Sequence, residues 1–342
     1  LQQGRETPRN PWGAGTLDWA TELPPPDDGY RHIPIVHGRY PLWDQDSLRR
    51  GDARTEALVE GLAQKPETWR ATFVTSLLDA KPEAIIRLSE PSWWPLIAGI
   101  CLTLVFVGEL IDSYLLLGAS FGGYVLASIV WLWPSKEERE IPEVDPDGTI
   151  HGLPVYLNGP MAPAWWSMAL IVTVFSVFLG CLVFAYFFLR TNTEQWPPAG
   201  LPPPDLLLPG IATVVLLLSA APAIFAERGI RAGSQGKLVL GLAGTFGLGV
   251  LFLGLLIFDF ARVPFTPGTN AYASAFFTLA GTHACLAAGG LVMLVVVQLQ
   301  AWLGYFNRLR FLAVQTTGMF WHFVVVSWLV VLAVAYVSPY LV

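Results

Sequence analysis

The chain has 342 residues, of which 54% are hydrophobic and only 13% charged, and its mean hydropathy is +0.51. That composition excludes a soluble domain and indicates a protein that crosses a membrane repeatedly. A net charge of −6 without a basic patch excludes nucleic-acid binding, and Cys101, Cys181 and Cys285, all inside apolar runs, read as small core residues rather than a disulfide or metal framework.

Residues 1–92 form a polar, proline-rich stretch with 11 of the 20 Lys and Arg residues. The chain opens at Leu1 without a signal-peptide pattern, so further sequence upstream is expected. The first half of the stretch reads Asn10-Pro11-Trp12-Gly13-Ala14-Gly15-Thr16-Leu17-Asp18-Trp19-Ala20, then Pro24-Pro25-Pro26, then Gly38-Arg39-Tyr40-Pro41-Leu42-Trp43-Asp44. Prolines this dense preclude regular helix, and too few apolar residues remain to bury a core. Aromatic anchors recur at Trp12, Trp19, Tyr30, Tyr40 and Trp43, the pattern of an extended segment lying along another protein. Residues 45–92, with Thr55-Glu56-Ala57-Leu58-Val59-Glu60-Gly61-Leu62, predict one short amphipathic helix and then a linker to the membrane.

Apolar spans follow. Residues 95–114 and 115–133 read as a tight helical hairpin turning near Leu117-Gly118-Ala119-Ser120. Trp93, Trp94, Trp131 and Trp133 collect at one end of it, as an interfacial belt would. A polar loop, 134–163, carries Lys136-Glu137-Glu138-Arg139-Glu140. Five more spans are expected at about 164–189, 206–226, 238–258, 271–303 and 311–337. In the third of these, Gly241, Gly244, Gly247 and Gly254 form a small-residue stripe that lets another helix approach. The last two spans organise the rest: beyond Arg262 the only charged residues are Arg308 and Arg310, and each run exceeds the roughly 20 residues a bilayer requires. The predicted fold is an all-α polytopic membrane protein of about seven transmembrane helices, a two-helix hairpin plus a five-helix bundle, behind an extended N-terminal segment. Its divisions fall at 1–92, 93–133, 134–163 and 164–342.

Charge orients the spans. With residues 1–92 cytoplasmic, the inner segments 1–92, 134–163, 227–237 and 304–310 hold 11, 2, 3 and 2 basic residues, 18 of the 20. Only Arg190 and Arg262 fall outside. The positive-inside rule then predicts a cytoplasmic N-terminus and an outer C-terminus.

Several motifs resemble one family. Phe276-Phe277-Thr278-Leu279-Ala280-Gly281-Thr282-His283, followed by Phe320-Trp321-His322-Phe323, resembles the last two helices of subunit III of the haem–copper cytochrome oxidases. The N-P-W-x-A-x-T-L-x-W, P-P-P and R-Y-P-L-W-D motifs of residues 10–44 resemble the cytoplasmic tail of subunit I. Gly152-Leu153-Pro154, Pro163-Ala164-Trp165-Trp166 and Tyr186-Phe187-Phe188-Leu189-Arg190 look like the entry and exit of a helix in the caa3-type subunit III. Phe258-Asp259-Phe260 matches the family's acid between aromatics. The resemblance is to a subunit I+III fusion and covers nearly all of the chain.

It implies a non-catalytic part of a cytochrome c oxidase in a bacterial plasma membrane. Such a complex reduces O₂ to water and translocates protons. Haem and copper would sit on partner subunits, with none on this chain. The implied partners are subunit I, subunit II, phospholipids, and cytochrome c with the complex. Trp12, Trp19, Tyr40 and Trp43 would dock on subunit I. The sequence also departs from the family: the buried glutamate expected in the 164–189 helix is absent, with Phe175 or a neighbour in its place. The motif G-x-H-G-x-H keeps only His283, running on to Leu286. After W-H-F the usual acid is replaced within Val324-Val325-Val326.

No residues here point to catalysis. His32 and His37 lie in the tail, His151 in a loop, and His283 and His322 on separate spans. A haem or copper set needs more, so each membrane histidine is expected to bond a main-chain carbonyl or a neighbouring helix. Glu109 and Asp112 read either as a proton or lipid-headgroup contact on one helix face or as a polar pair at the hairpin turn. Asp259 reads as a functional acid or as a cap near Arg262. With Arg190, Trp321, His283 and His322, these are the candidate intramembrane polar, lipid or interface residues. A quinol oxidase subunit III is the alternative reading. A small secondary transporter is another, but it predicts inverted repeats and a midplane polar site, and no repeat is visible.

Overall fold

The computed structural model describes residues 10–20, 36–45, 71–76, 82–87, 92–133, 149–150 and 152–341. The chain divides into two compact units, Leu1–Tyr156 and Leu157–Val342. Tyr30, His32, His151, the triple proline, the 55–62 stretch and the charged run at 136–140 lie outside the described residues.

In the first unit, a 3₁₀ turn (Leu17–Ala20) and a single helical turn (Pro41–Asp44) are the ordered pieces of the tail. Two strands, β1 (Ala71–Thr75) and β2 (Pro82–Arg87), pair antiparallel with a bulge between Val74 and Thr75. The shorter pair β3 (Thr149–Ile150) and β4 (Leu153–Pro154) follows, with β4 lying beside β2. The chain is nearly all helical, as its apolar spans predicted, and these short strands are an addition in the stretch read as linker and loop. In β2, Ala84 and Ile85 are buried, and β-branched residues such as Ile85 and Ile86 suit a pleated surface.

The hairpin consists of α1 (Trp94–Leu110) and α2 (Tyr114–Leu132). Its turn is Ile111-Asp112-Ser113 rather than 117–120: Asp112 adopts a φ of 53°, and Ser113 N–H closes onto Gly108 O at 2.8 Å. Gly118 is an ordinary position within α2. The four tryptophans 93, 94, 131 and 133 do share one end of the hairpin, all partly exposed.

The second unit is a bundle of five long helices: α3 (Pro163–Thr191), α4 (Leu207–Arg231), α5 (Gln235–Arg262), α6 (Ala271–Trp302) and α7 (Leu312–Val331). A π-helical turn (Leu332–Val337) and a 3₁₀ turn (Ser338–Tyr340) extend α7. Pro163 starts α3 with a preset φ, and Asn270 caps α6 by accepting from Ala273 N–H at 2.9 Å. Asn158 Nδ2 donates to Leu309 O (2.6 Å) and Gly159 N–H to Gln315 Oε1 (2.9 Å), tying the entrance of α3 to the start of α7. Among the described residues, α2 to α7 are long and apolar enough to span a membrane; α1, at 17 residues, is a shorter apolar helix.

Helices α6 and α7 form the centre. α7 packs on α3, α4 and α6, and α6 packs on α3, α5 and α7. Trp321 is the hub, fully buried where three helices meet. A Cβ at Gly249 of α5 would lie 2.5 Å from its ring, and one at Gly290 of α6 2.9 Å away. The glycine stripe of α5 is divided. Gly241 and Gly244 meet Pro222 and Ala226 of α4, whereas Gly247 and Gly254 face open space. The cysteines are not core residues either: Cys101 is half-buried, and Cys181 and Cys285 are exposed on helix faces that the bundle leaves uncovered.

Candidate functional site: a polar seam and an open groove

Polar side chains in an apolar bundle must find partners within it. Those of α7 do so along its whole length. Trp321 Nε1 donates to Ser219 Oγ of α4 at 2.9 Å, and seven residues on Trp328 Nε1 donates to Thr213 Oγ1 at 2.7 Å. Two turns of an α-helix bring both indoles to one face, opposite hydroxyls six residues apart on α4. His283, fully buried on α6, donates from Nε2 to Val324 O at 2.9 Å. Its ring packs against Phe252 and Trp328, and Nδ1 has no hydrogen-bond partner.

The far end of α7 is held from three sides. The π-helical turn carries Tyr336, whose hydroxyl donates to Asp259 Oδ2 of α5 at 2.8 Å. Ser338 and Trp196 both bond Tyr186 on the α3 side: Trp196 Nε1 donates to the phenol oxygen at 2.9 Å. Arg190 donates to the carbonyls of Ser338 (3.0 Å) and Leu341, a cation on the carbonyl end of a helix. Tyr340 OH donates to Pro204 O at 2.9 Å. Tyr272 lies within the same cluster, edge-on to Trp196, its hydroxyl buried and without a partner.

Beside this seam runs an open groove between α3 and α6. Two openings of about 420 and 470 Å³ line up along it, with Thr278 lining both. The α6 wall mixes small side chains, Ser274, Ala275 and Thr278, with Phe277, Leu279 and Leu286, and the α3 wall is mostly bulky, with Phe175, Phe178 and Leu182. From Phe175 to Leu189 the groove extends about 21 Å at 1.5 Å per residue. Its lining is almost wholly apolar.

The sequence-derived candidates distribute unevenly over this architecture. Asp259, His283 and Trp321 are all buried in the bundle. Arg262 stacks over Phe258 (5.6 Å), and the Asp259 carboxyl takes the Tyr336 hydroxyl. His322 donates from Nδ1 to Gly318 O of its own helix. Glu109 and Asp112 are exposed at the hairpin turn, and Asp112 lies in the turn itself, off the helix face proposed for the pair. Phe175 meets Phe320 edge-on at 6.4 Å. Among the described residues no three His, Cys, Asp or Glu come together. Among the described residues, His283 and His322 lie on separate helices and each bonds a main-chain carbonyl.

Sequence reasoning missed Thr213, Ser219, Trp328, Tyr336, Tyr186, Trp196 and Ser338. The tryptophan pair seven apart on the last span was a readable signal, but its hydroxyl partners lie more than a hundred residues away.

A profile of cytochrome c oxidase subunit III matches residues 87–340, about three-quarters of the chain. The chain belongs to the cytochrome c oxidase subunit III family. Within it, the cytochrome c oxidase subunit 3 of Synechocystis is 30% identical over 162 residues, 47% of this chain and 69% of that protein. The subunit 3 of Prototheca wickerhamii is 26% identical over 256 residues, 71% and 93% of the two chains. A heme-copper oxidase subunit I+III of Aeropyrum pernix is 24% identical over 348 residues. That alignment takes in 98% of this chain, and the chain spans 41% of the fusion protein's length. The subunit III match begins at residue 87; the fusion relative extends the similarity across the tail.

Proposed function

We propose that this chain is the subunit III portion, with the preceding tail of subunit I, of a respiratory haem–copper cytochrome c oxidase. It carries no catalytic residue: O₂ reduction and its haem and copper belong to partner subunits I and II, and electrons arrive from cytochrome c. The observation carrying this reading is the joint match to subunit III over residues 87–340 and to a I+III fusion over 98% of the chain. Its work is structural. The α6–α7 centre provides a rigid body for packing on the catalytic subunit. The α3–α6 groove, apolar and about two-thirds of the roughly 30 Å hydrocarbon core in length, suits a phospholipid acyl chain. The excess of Lys and Arg in the inner segments supports a tail on the cytoplasmic side.

Purification through a tag on this chain tests the assignment. Haem and copper are expected to copurify, with O₂ uptake supported by reduced cytochrome c and phospholipid retained. Filling the groove with Thr278→Leu should lower retained phospholipid without loss of haem. O₂ uptake with quinol alone would select the quinol oxidase alternative, and a tagged chain free of haem would overturn the reading.

A further inference from the structure

The tail is not simply extended. Segments 10–20 and 36–45 close on one another. Leu42 N–H donates to Gly15 O at 3.0 Å, and Trp43 Nε1 donates to Gly13 O at 2.7 Å across 30 residues. Tyr40 stacks on Trp43 with ring centroids 4.9 Å apart. Gly15 is buried beneath this pair: a Cβ there would lie 2.6 Å from the Trp43 ring and 2.8 Å from Tyr40 Cβ. Asn10 braces the first strand of the clasp, its amide donating to Ala14 O and its carbonyl accepting from Ala14 N–H. Trp43 is therefore occupied in closing the clasp, while Trp12, 79% exposed, projects from it with its indole unburied.

We infer that the two segments dock on the oxidase's catalytic subunit as one preassembled clasp, anchored by Trp12 and closed by Gly15, Tyr40 and Trp43. The inference rests on the proposed reading of the tail as subunit I sequence. Two observations name the occupant. The alignment to the fusion relative covers too much of this chain to omit the clasp, and most of that relative's own length lies outside the alignment. Residues 10–45 also hold Asp18, Glu22, Asp27, Asp28 and Asp44 against Arg31 and Arg39, a net charge of −3. That complements the Lys- and Arg-rich cytoplasmic rim of a multi-span protein. Preassembly lowers the ordering cost of binding, because two segments are immobilised as one body.

Hydrogen exchange in the intact oxidase complex reads the clasp. In the wild type the Leu42 amide should be protected. Gly15→Ala, which needs no unusual backbone angle, should speed its exchange about tenfold or more, as should Trp43→Ala. The double variant should be no faster than the faster single one. An unprotected Leu42 amide in the wild type, or additive effects, would show that the segments bind independently and overturn the clasp. Trp12→Ala should leave Leu42 protected while raising proteolysis of the tail; unchanged proteolysis removes Trp12 as anchor. A photo-crosslinking residue at position 12 should capture the catalytic subunit. Capture of another chain, or none, rejects the subunit I reading even where the exchange data uphold the clasp.

Discussion

Helices α3 and α7 are almost equally apolar, yet they hold opposite places in the bundle. α3 has the higher mean hydropathy, 2.6 against 2.2, but only 11% of its most apolar stretch is buried, compared with 56% for α7. In a soluble protein that ranking would be reversed, because water drives the most apolar face inward. Here lipid is as apolar as leucine, so hydropathy inserts a helix without choosing its neighbours. What separates the two is shape and polarity. α7 offers Trp321 to the notch made by Gly249 and Gly290, and it directs indole and phenol donors at Ser219, Thr213 and Asp259. α3 turns Leu170, Val174, Val177 and Phe184 outward, each well over half exposed.

Removing the hub should have the largest effect. Trp321→Ala is expected to destabilise the bundle by about 3–5 kcal/mol, while Leu170→Ala on α3 stays within about 0.5 kcal/mol. Denaturant titration of the solubilised protein, followed by circular dichroism, measures both; equal effects would break the comparison. Filling the notch comes next. Gly249→Val should cost about 1–3 kcal/mol by overpacking against the Trp321 ring, whereas Gly180→Val on α3, with open space around it, should be close to neutral in the same titration. The smallest effect sharpens the contrast further. Thr213→Val keeps the shape of the site but removes the acceptor for Trp328 Nε1, for an expected loss of about 0.6 kcal/mol, the mean found for hydrogen bonds between membrane helices. A loss above about 2 kcal/mol would mean that hydrogen bonding, not packing around Trp321, dominates the centre.

The same distinction explains what could be read from the residues. Span number and order were legible, because length and apolar content alone put a helix across a bilayer. Which face of each span is buried was not, since lipid-facing and core-facing positions are both apolar. Apolar surroundings therefore make the cysteines read as core, whereas Cys181 and Cys285 are exposed. Gly118 looked like a turn, but glycine is common inside membrane helices. The true turn at Asp112 depends on a positive φ that composition does not show. The strands at 71–87 are too short to declare a period. Leu286 and Val325, in two of the runs read as departing from the family motifs, are both buried, where an unpartnered polar side chain would be costly.

The order in which the helices are made gives the C-terminal lock another meaning. α7 supplies partners for α3, α4, α5 and α6, and it leaves the ribosome after all of them. Until it arrives, the hydroxyls of Ser219 and Thr213 lack their indole donors, the Asp259 carboxyl lacks Tyr336, and the notch at Gly249 and Gly290 stands empty. Helices α3 to α6 are thus inserted before their central contacts exist. The carbonyls of Ser338 and Leu341, which Arg190 of α3 grips, arrive later than α7 itself, so the α3 side is fastened after the centre.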